Sequence, residues 1–218
     1  MSYMIVLEGL DAAGKATQAK RLVAKLDTMG RDAVVIAFPR YETVVGRAIR
    51  KLLVGEMGVM EQASPGTVLK CSAPEEPLLL QALFAMDKYD AAIDVEAHLD
   101  AGRIVICDRW TPSALCFGEA DGVDATLLQR TQEHLPLADL NIFIDVPEEE
   151  ALRRRPQMRD RFEKDRAKQN VVRANYETLW IAGADEEPEG WAKIDGVGTE
   201  EEVAARIWGK VAELLESE

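Results

Sequence analysis

The chain begins with a short apolar run, a glycine-rich loop and an amphipathic segment, in that order. The apolar run covers residues 4–7, the loop covers 9–17 with the sequence GLDAAGKAT, and residues 18–26 have helical spacing. A strand, a Gly-x-x-x-x-Gly-Lys turn and a helix form the arrangement of a phosphate-binding loop. Backbone N–H groups of such a loop surround a phosphate, and the helix points the positive end of its dipole at the anion. We therefore predict that a phosphate group binds here, rather than that the loop is an accidental glycine-rich turn.

Three consecutive residues at the end of the loop determine how it can bind the phosphates of a nucleotide and their magnesium ion. Lys15 brings a positive charge to the β- and γ-phosphate oxygens. Ala16 follows it at the position where such loops usually carry a Ser or Thr hydroxyl that binds Mg²⁺. The hydroxyl of Thr17 either contacts the α-phosphate or satisfies a backbone N–H in the first turn of the helix. A magnesium ion at this site must therefore be held by phosphate oxygens and by carboxylates from elsewhere in the chain.

Composition limits the class of partner and the compartment. The net charge of −13 argues against a polynucleotide, because a nucleic-acid backbone needs a basic surface, whereas a small nucleotide needs only a basic pocket. No apolar run is long enough to span a membrane, and the first residues enter a strand without a signal-peptide pattern. Three scattered cysteines favour a reducing compartment, and the absence of a Cys-x-x-Cys pair argues against a zinc site. We expect a cytoplasmic protein.

Strand-like and helix-like segments alternate along the 218 residues. The predicted strands are 4–7, 33–38, 103–107, 140–146 and 191–194. The predicted helices are 18–26, 45–53, 75–99, 126–134, 163–181 and 199–215, with another beginning at Pro147. Thr199 and Glu202 form a capping-box pattern at the start of the last helix, and residues 55–74 are expected to be partly irregular. Because helices separate the strands, we predict one α/β domain over 1–218, with a five-stranded parallel sheet covered by helices on both faces.

Polar and aromatic residues follow the second and third predicted strands, at the edge where parallel sheets bind their ligands. The second strand is followed by FPRY at 38–41, and the third by DRW at 108–110. An Asp–Arg pair at a strand end can be a local salt bridge. Beside a phosphate loop, however, Arg109 can hold a second phosphate with two hydrogen bonds, and Asp108 can hold a metal-bound water.

Two further segments each have a structural and a functional interpretation. On the long predicted helix, Phe84 and Lys88 are four residues apart and share a face, so the ring either joins the core or stacks on a ligand. The stretch 153–161, RRRPQMRDR, is either a solvated basic turn or a mobile lid that covers phosphates. A lid would extend over about residues 153–162.

Taken together, these segments resemble the thymidylate kinases. The matching segments are, in chain order, LEGLDAAGKATQ, FPRY, LFAMDKYD, DRWTPSALCF, LADLNIFIDVPEEEALRRR and DRFE. They cover nearly the whole chain, and the set in this order and spacing is specific. The resemblance implies a P-loop kinase fold with an arginine-rich lid and a homodimer. It also implies the transfer of a phosphoryl group from ATP, with Mg²⁺, to dTMP, which yields dTDP.

The resemblance also implies a role for individual residues. The implied catalytic residues are Lys15, Asp11, Arg109, Arg153 and Arg161. The implied ATP-binding residues are Gly9, Leu10, Asp11, Ala12, Ala13, Gly14, Lys15, Ala16 and Thr17. The implied acceptor-binding residues are Asp11, Phe38, Arg40, Tyr41, Phe84, Lys88, Arg109, Ser113, Phe117 and Phe162. The implied Mg²⁺-binding residues, acting mostly through phosphates and water, are Asp11, Asp108 and Glu163. Some members of the family carry a basic residue inside the loop, where this chain has alanines, so the lid would supply that charge.

Several positions depart from the family pattern, and most of them concern the acceptor. Lys88 stands where an arginine is common, and a lysine lacks the two-pronged geometry of a guanidinium. Ala114 replaces a side chain that donates a hydrogen bond, and Phe117 replaces a tyrosine expected near the sugar. These changes leave open a kinase of another deoxypyrimidine monophosphate, including one modified at position 5 of the base. A nucleotide-binding regulator without catalysis is a third interpretation, for which Ala16 is the best argument.

Overall fold

A computed structural model of the chain describes residues 1–54, 76–154, 166–186 and 190–216. The stretch 55–74, most of the predicted lid with Arg161 and Phe162, and the predicted Mg²⁺-binding residue Glu163 lie outside the described residues.

Five strands form a single parallel sheet. They are β1 (Tyr3–Glu8), β2 (Ala33–Ala37), β3 (Ile104–Asp108), β4 (Leu140–Asp145) and β5 (Trp191–Asp195). Their order across the sheet is β2-β3-β1-β4-β5, and every neighbouring pair is parallel. Each strand agrees with its predicted range to within one residue at either end, so the predicted five-stranded parallel sheet is confirmed. The strand that precedes the phosphate loop is therefore the central one.

Helices connect consecutive strands, and one more helix comes after the last strand. In the described ranges they are α1 (Lys15–Thr28), α2 (Val44–Leu53), α3 (Glu76–Asp100), α4 (Thr111–Ala120), α5 (Ala125–Arg130), α6 (Glu148–Arg154), α7 (Arg166–Glu186) and α8 (Glu200–Glu216). The capping box at α8 is confirmed: the backbone N of Thr199 donates to Glu202 Oε2 at 2.8 Å, and the backbone N of Glu202 donates to Thr199 Oγ1 at 3.2 Å. None of the helices in these ranges has the length and apolarity of a membrane span.

The sequence analysis differs from the structure at α4 and α5. Helix α4 was not predicted, because TPSALCFGEA contains proline, serine and glycine and has no clear apolar period. A proline in the first turn is nevertheless a helix-start signal, and Pro112 holds that position. Helix α5 ends at Arg130, four residues before the predicted end, and short turns follow it.

The core lies on both faces of the sheet, as predicted. In β1, Ile5 and Leu7 pack in the cluster that includes α1 and α8, whereas Met4 and Val6 pack in the cluster that includes α3. Alternate residues of a strand face opposite sides, so a strand that is buried on both sides must be apolar throughout. This explains the continuous apolar run at the start of the chain.

The carboxyl ends of β1, β2 and β3 lie side by side. The register pairs Asp108 with Leu7 on one side and with Ala37 on the other. The phosphate loop, the segment after β2 and Arg109 therefore leave the sheet at the same edge. This is the edge at which the sequence predicted a ligand.

Candidate active site

The loop between β1 and α1 has a backbone suited to an anion. Gly9 and Gly14 have φ angles of 139° and 96°, and Ala12 has 63°. A Cβ atom at Gly9 would lie 2.5 Å from the carbonyl oxygen of Ile144 in β4, so glycine is required there. Gly14 is the N-cap of α1, and no side chain caps this helix. Its first N–H groups therefore face the loop without a side-chain acceptor, which is the arrangement that receives a phosphate.

Lys15 is buried beneath the loop. Its Nζ donates to the carbonyl oxygens of Gly9 at 3.2 Å and Leu10 at 2.8 Å. Burial, and next the nearby guanidinium of Arg109, lower the pKa of Lys15 to about 8, although neighbouring carboxylates act in the opposite direction. A nucleotide phosphate in the loop adds negative charge beside the ammonium group and therefore favours its protonated form.

Arg109 follows β3 and is hydrogen-bonded to the loop. Its Nη2 donates to Asp11 Oδ1 at 2.7 Å, and its Nη1 donates to Ser113 Oγ at 3.2 Å and to the Tyr176 hydroxyl at 3.3 Å. The guanidinium lies over the ring of Phe117, 4.8 Å from its centroid. Burial by itself lowers the pKa of Arg109, but the surrounding carboxylates, Asp11 first, raise it above its usual value. Arg109 is thus a permanent cation, and its ion-pair partner is in the loop rather than next to it in sequence.

Glu8, at the end of β1, is fully buried and organises the start of α4. Its Oε1 accepts from the backbone N of Trp110 at 2.8 Å and of Ser113 at 3.2 Å. Its Oε2 accepts from the hydroxyls of Ser113 at 2.6 Å and Tyr176 at 2.7 Å. These four hydrogen bonds satisfy both carboxylate oxygens. Sequence reasoning named neither Glu8 nor Tyr176; a carboxylate closing an apolar strand was an available signal for the first, whereas Tyr176 has no local signal.

An open cavity lies between Arg109 and α3. The residues that line it are Asp11, Phe38, Pro39, Tyr41, Leu53, Phe84, Asp87, Lys88, Arg109, Ser113, Ala114 and Phe117. Most of the predicted acceptor-binding residues are therefore brought together in one place. Phe84 lines the cavity and also packs against the apolar cluster between α2 and α3, and its stacking on a ligand stays a prediction.

Arg40 is the described acceptor-binding candidate that does not line this cavity. Its Nε donates to Asp87 Oδ1 at 3.0 Å, and its Nη2 donates to Asp90 Oδ2 at 2.5 Å. The Arg40 side chain is 11% exposed and that of Asp87 is 1% exposed. Arg40 thus fastens the segment after β2 to α3, while its neighbour Tyr41 lines the cavity. The sequence did not indicate this role, since the carboxylates lie far along the chain.

Lys88 on α3 is buried at the wall of the cavity. Its Nζ donates to Gln132 Oε1 at 3.1 Å. Burial lowers the pKa of Lys88 to about 8, although the carboxylates of Glu8 and Asp87 act in the opposite direction. An ammonium group has three donors, so two remain besides the bond to Gln132. A base edge that presents a carbonyl oxygen suits such donors.

The residues around the loop fit a magnesium ion that arrives with nucleotide phosphates. Ala16 is exposed and has no hydroxyl, and Thr17 is half-buried. The carboxylates of Asp11 and Asp108 lie near enough to the ammonium of the loop lysine to raise its pKa. Mg²⁺ commonly uses one or two carboxylates together with substrate phosphates and water. In the described ranges, no group of three or more His, Cys, Asp or Glu side chains could hold a metal ion.

Of the predicted lid arginines, Arg153 lies in the described part of the chain. It stands in the last turn of α6, its side chain is 77% exposed, and it pairs with Glu150 at 2.6 Å. Arg154 pairs with the same carboxylate at 2.8 Å and also donates to the carbonyl oxygen of Gly196 at 2.8 Å. A lid role for Arg153 and Arg161 stays a prediction.

A parallel sheet with a phosphate loop after its central strand, and a cavity ending in a buried guanidinium at the same edge, defines a nucleotide kinase of the P-loop class. A family model described as thymidylate kinase matches residues 7–207. The chain is 34% identical to a probable thymidylate kinase of Pyrococcus abyssi over 178 residues, 80% of each chain. It is 31% identical to a thymidylate kinase of Thermomicrobium roseum over an alignment of 222 positions, which covers 99% of this chain and 97% of the relative. The chain belongs to the thymidylate kinase family.

A solved structure supports the fold. The thymidylate kinase of Candida albicans matches with a TM-score of 0.78 and 23% sequence identity, over 100% of this chain and 94% of the other. Membership in the family confirms the resemblance noted in the sequence and makes the chain an enzyme, a nucleotide-binding transferase that phosphorylates dTMP with ATP as its substrate. The third interpretation, a regulator without catalysis, is thereby set aside.

Proposed function

We propose that the chain holds ATP and dTMP end to end, with the loop after β1 on one side and Arg109 on the other. The observation that carries this proposal is the hydrogen bond of 2.7 Å between Arg109 Nη2 and Asp11 Oδ1. Asp11 belongs to the loop and also lines the cavity. The donor and acceptor sites therefore meet at this pair, and the γ-phosphate of one nucleotide faces the 5′-phosphate of the other.

On the donor side, the backbone N–H groups of the loop and Lys15 bind the phosphates of ATP. The left-handed backbone at Gly9 and Gly14 curves the loop, and the uncapped start of α1 supplies further N–H groups. Lys15 exchanges its bonds to loop carbonyl oxygens for bonds to the β- and γ-phosphate oxygens. The exchange is favourable because a charged acceptor forms the stronger hydrogen bond.

On the acceptor side, Arg109 grips the 5′-phosphate of dTMP. The phosphate competes with Asp11 for the guanidinium and can accept two parallel hydrogen bonds from it. The ring of Phe84 stacks on the pyrimidine, Phe117 packs near the sugar, and Lys88 donates to a carbonyl oxygen of the base. Each of these side chains lines the same cavity as Arg109.

In phosphoryl transfer, the protein chiefly positions the reactants and neutralises charge. Lys15 and Arg109 place one fixed cation on each side of the phosphates. Asp11 and Asp108 would hold hydrated Mg²⁺ beside the phosphate oxygens, where the ion would supply further positive charge. The burial of both cations keeps bulk water from screening them.

Three cavity residues favour a second candidate acceptor, a deoxypyrimidine monophosphate other than dTMP, such as one with a different substituent at position 5 of the base. Ala114 lines the cavity, is buried and offers no hydrogen bond from its side chain. Lys88 donates from a single atom, and Phe117 has no hydroxyl to orient the sugar. Ala114 and Phe117 discriminate less strongly than hydrogen-bonding side chains do, because neither is left with an unsatisfied polar group when the ligand lacks a partner for it.

We also propose that the chain forms a homodimer through one face of α3. Exposed apolar side chains follow this helix at spacings of multiples of three or four residues: Leu78, Met86, Tyr89 and Ile93. The opposite face places Ala91 and Val95 in the core. A helix that is apolar on both faces is normally covered on both, and a second copy of the same face is the simplest cover.

The buried free thiols Cys107 and Cys116 further support a reducing compartment such as the cytoplasm.

The acceptor assignment is tested by an assay of ADP release over a panel of monophosphates: dTMP, dUMP, 5-hydroxymethyl-dUMP, dCMP, dGMP and UMP. We expect the highest kcat/KM with dTMP; a higher value with a 5-modified nucleotide favours the second candidate.

Lys15→Ala should lower kcat by about 10³, since a cation on the transferring phosphoryl group is lost. The matched control is Lys20→Ala, an exposed lysine of the same helix. Wild-type turnover by Lys15→Ala contradicts the proposed donor site.

A further inference from the structure

The backbone of Arg109 has a conformation that its neighbours must maintain. Its φ angle is 73°, a left-handed value that is unfavourable for a residue with a side chain. Its N–H donates to the carbonyl oxygen of Leu7 at 3.0 Å, and the next N–H, of Trp110, donates to Glu8 Oε1 at 2.8 Å. The end of β1 therefore holds the backbone at Arg109 and immediately after it.

The side chain of Arg109 is anchored to the same carboxylate through two hydroxyl groups. Its Nη1 lies 3.2 Å from Ser113 Oγ and 3.3 Å from the Tyr176 hydroxyl oxygen. Both hydroxyls form hydrogen bonds with Glu8 Oε2, Ser113 at 2.6 Å and Tyr176 at 2.7 Å. A hydroxyl has one proton, and a carboxylate is a stronger acceptor than a neutral oxygen. The two hydroxyl oxygens also lie 2.8 Å from each other, and either could donate across that contact. Because the carboxylate is the stronger acceptor, we assign both protons to Glu8, which leaves lone pairs of both oxygens for the guanidinium.

Tyr176 is a rigid anchor for this arrangement. It belongs to α7, is fully buried, and stacks on Phe143 with ring centroids 5.2 Å apart. Its ring also meets Phe117 edge-on at 6.3 Å. Burial, and next the Glu8 carboxylate, raise the pKa of Tyr176 well above its usual value, so the hydroxyl keeps the proton that it donates.

We propose that Tyr176 is a positioning residue for Arg109, whose guanidinium it fixes toward the acceptor phosphate through a hydroxyl oriented by Glu8. Tyr176 acts on the phosphate only through Arg109, while Nη2 remains directed toward the loop. The inference rests on the proposed role of Arg109 in holding the acceptor phosphate.

Tyr176→Phe removes the hydroxyl and keeps the ring and its stacking. The variant should bind dTMP about tenfold more weakly, because the guanidinium is no longer held and part of its orientation must be restored on binding. Its affinity for thymidine, which lacks the phosphate, should not change. The matched control is Thr178→Ala, which removes an exposed hydroxyl from the same helix. Equal losses for dTMP and thymidine, or no loss for either, would overturn the proposal.

A double-mutant cycle with Arg109→Ala separates positioning from a general effect on the fold. Once Arg109 is truncated, Tyr176→Phe should weaken dTMP binding no further. A second full loss in that background shows that Tyr176 acts independently and overturns the inference. If Arg109→Ala itself leaves dTMP affinity unchanged, the proposed acceptor site fails instead, whatever Tyr176 does.

Glu8→Gln provides a second variant should Tyr176→Phe not fold. The amide keeps the shape of the carboxylate but replaces one acceptor oxygen with a donor, so it cannot accept all four of the hydrogen bonds seen at Glu8. We expect the same selective loss of dTMP affinity over thymidine affinity, measured by calorimetry with circular dichroism to confirm folding. An unchanged ratio of the two affinities in this variant contradicts the proposal.

Discussion

At the scale of single residues, two buried lysines serve different parts of the site. Lys15 lies under the phosphate loop, and Lys88 lies at the wall of the acceptor cavity. Burial lowers the pKa of each to about 8. Both groups therefore lose their proton nearer to neutral pH than an exposed lysine does, and a ligand that adds negative charge or a strong acceptor favours the charged form.

Lys88 should make dTMP recognition sensitive to pH. Below its pKa of about 8 the ammonium is present, and above it the group is a neutral amine, so kcat/KM for dTMP should fall as pH rises through this value. Saturating ATP keeps Lys15 charged during the measurement. In Lys88→Arg the fall should disappear, because a guanidinium stays charged. The control is Lys51→Arg, an exposed lysine of α2. Identical profiles for Lys88→Arg and the unmodified enzyme would remove Lys88 from base recognition.

At this scale, sequence reasoning succeeded where chemistry is carried by a local motif. The loop with Lys15 was predicted from the order of an apolar run, a glycine-rich turn and a helical segment. Gln132 and Tyr176 were not predicted, because each enters the site only through contacts with residues far along the chain. Gln132 meets a lysine 44 positions away, and Tyr176 meets Glu8 across 168 positions.

At the scale of elements, strands and long helices follow from the apolar pattern, and the connections between elements do not. Helix α4 has no clear apolar period, and its N-terminus is stabilised by a carboxylate on β1 rather than by a side chain of its own segment, so the local sequence did not indicate it. The family resemblance implied an acceptor-binding role for Arg40, and in the structure its guanidinium joins the segment after β2 to α3. In both cases the partner belongs to another element.

Arg40→Ala should therefore destabilise the fold. The substitution leaves the buried carboxylate of Asp87 with the backbone N–H of residue 40 but without its guanidinium. We expect the free energy of unfolding to fall by about 2 kcal/mol, the scale of a hydrogen bond to a charged group. Urea denaturation measures it, and Arg50→Ala, an exposed arginine of α2, serves as the control. Equal stabilities of the two variants would contradict this structural role.

At the scale of the whole molecule, the exposed apolar face of α3 connects assembly with the acceptor site. Phe84 and Lys88 line the cavity on the helix whose other face carries Met86 and Ile93. A partner that covers the exposed face would restrain the helix that contacts the base. The proposed dimer is therefore expected to support acceptor binding as well as solubility.

Ile93→Glu should separate the proposed dimer into single chains. Ile93 is 71% exposed, and a carboxylate there would be buried without a partner in each copy of the interface. We expect light scattering after size exclusion to report the mass of one chain instead of two, with the fold retained. Glu96→Gln, at an exposed polar position of the same helix, should remain dimeric. A dimeric Ile93→Glu enzyme would contradict the proposed interface.

The sequence by itself determined the sheet, the phosphate loop and the set of residues at the strand ends. These features depend on the period of apolar residues and on glycines at particular positions, both of which are local properties of the chain. Only the tertiary structure decided the partners of Glu8, Arg40 and Lys88. A buried polar group must find a partner, but which partner it finds depends on how the elements pack against one another.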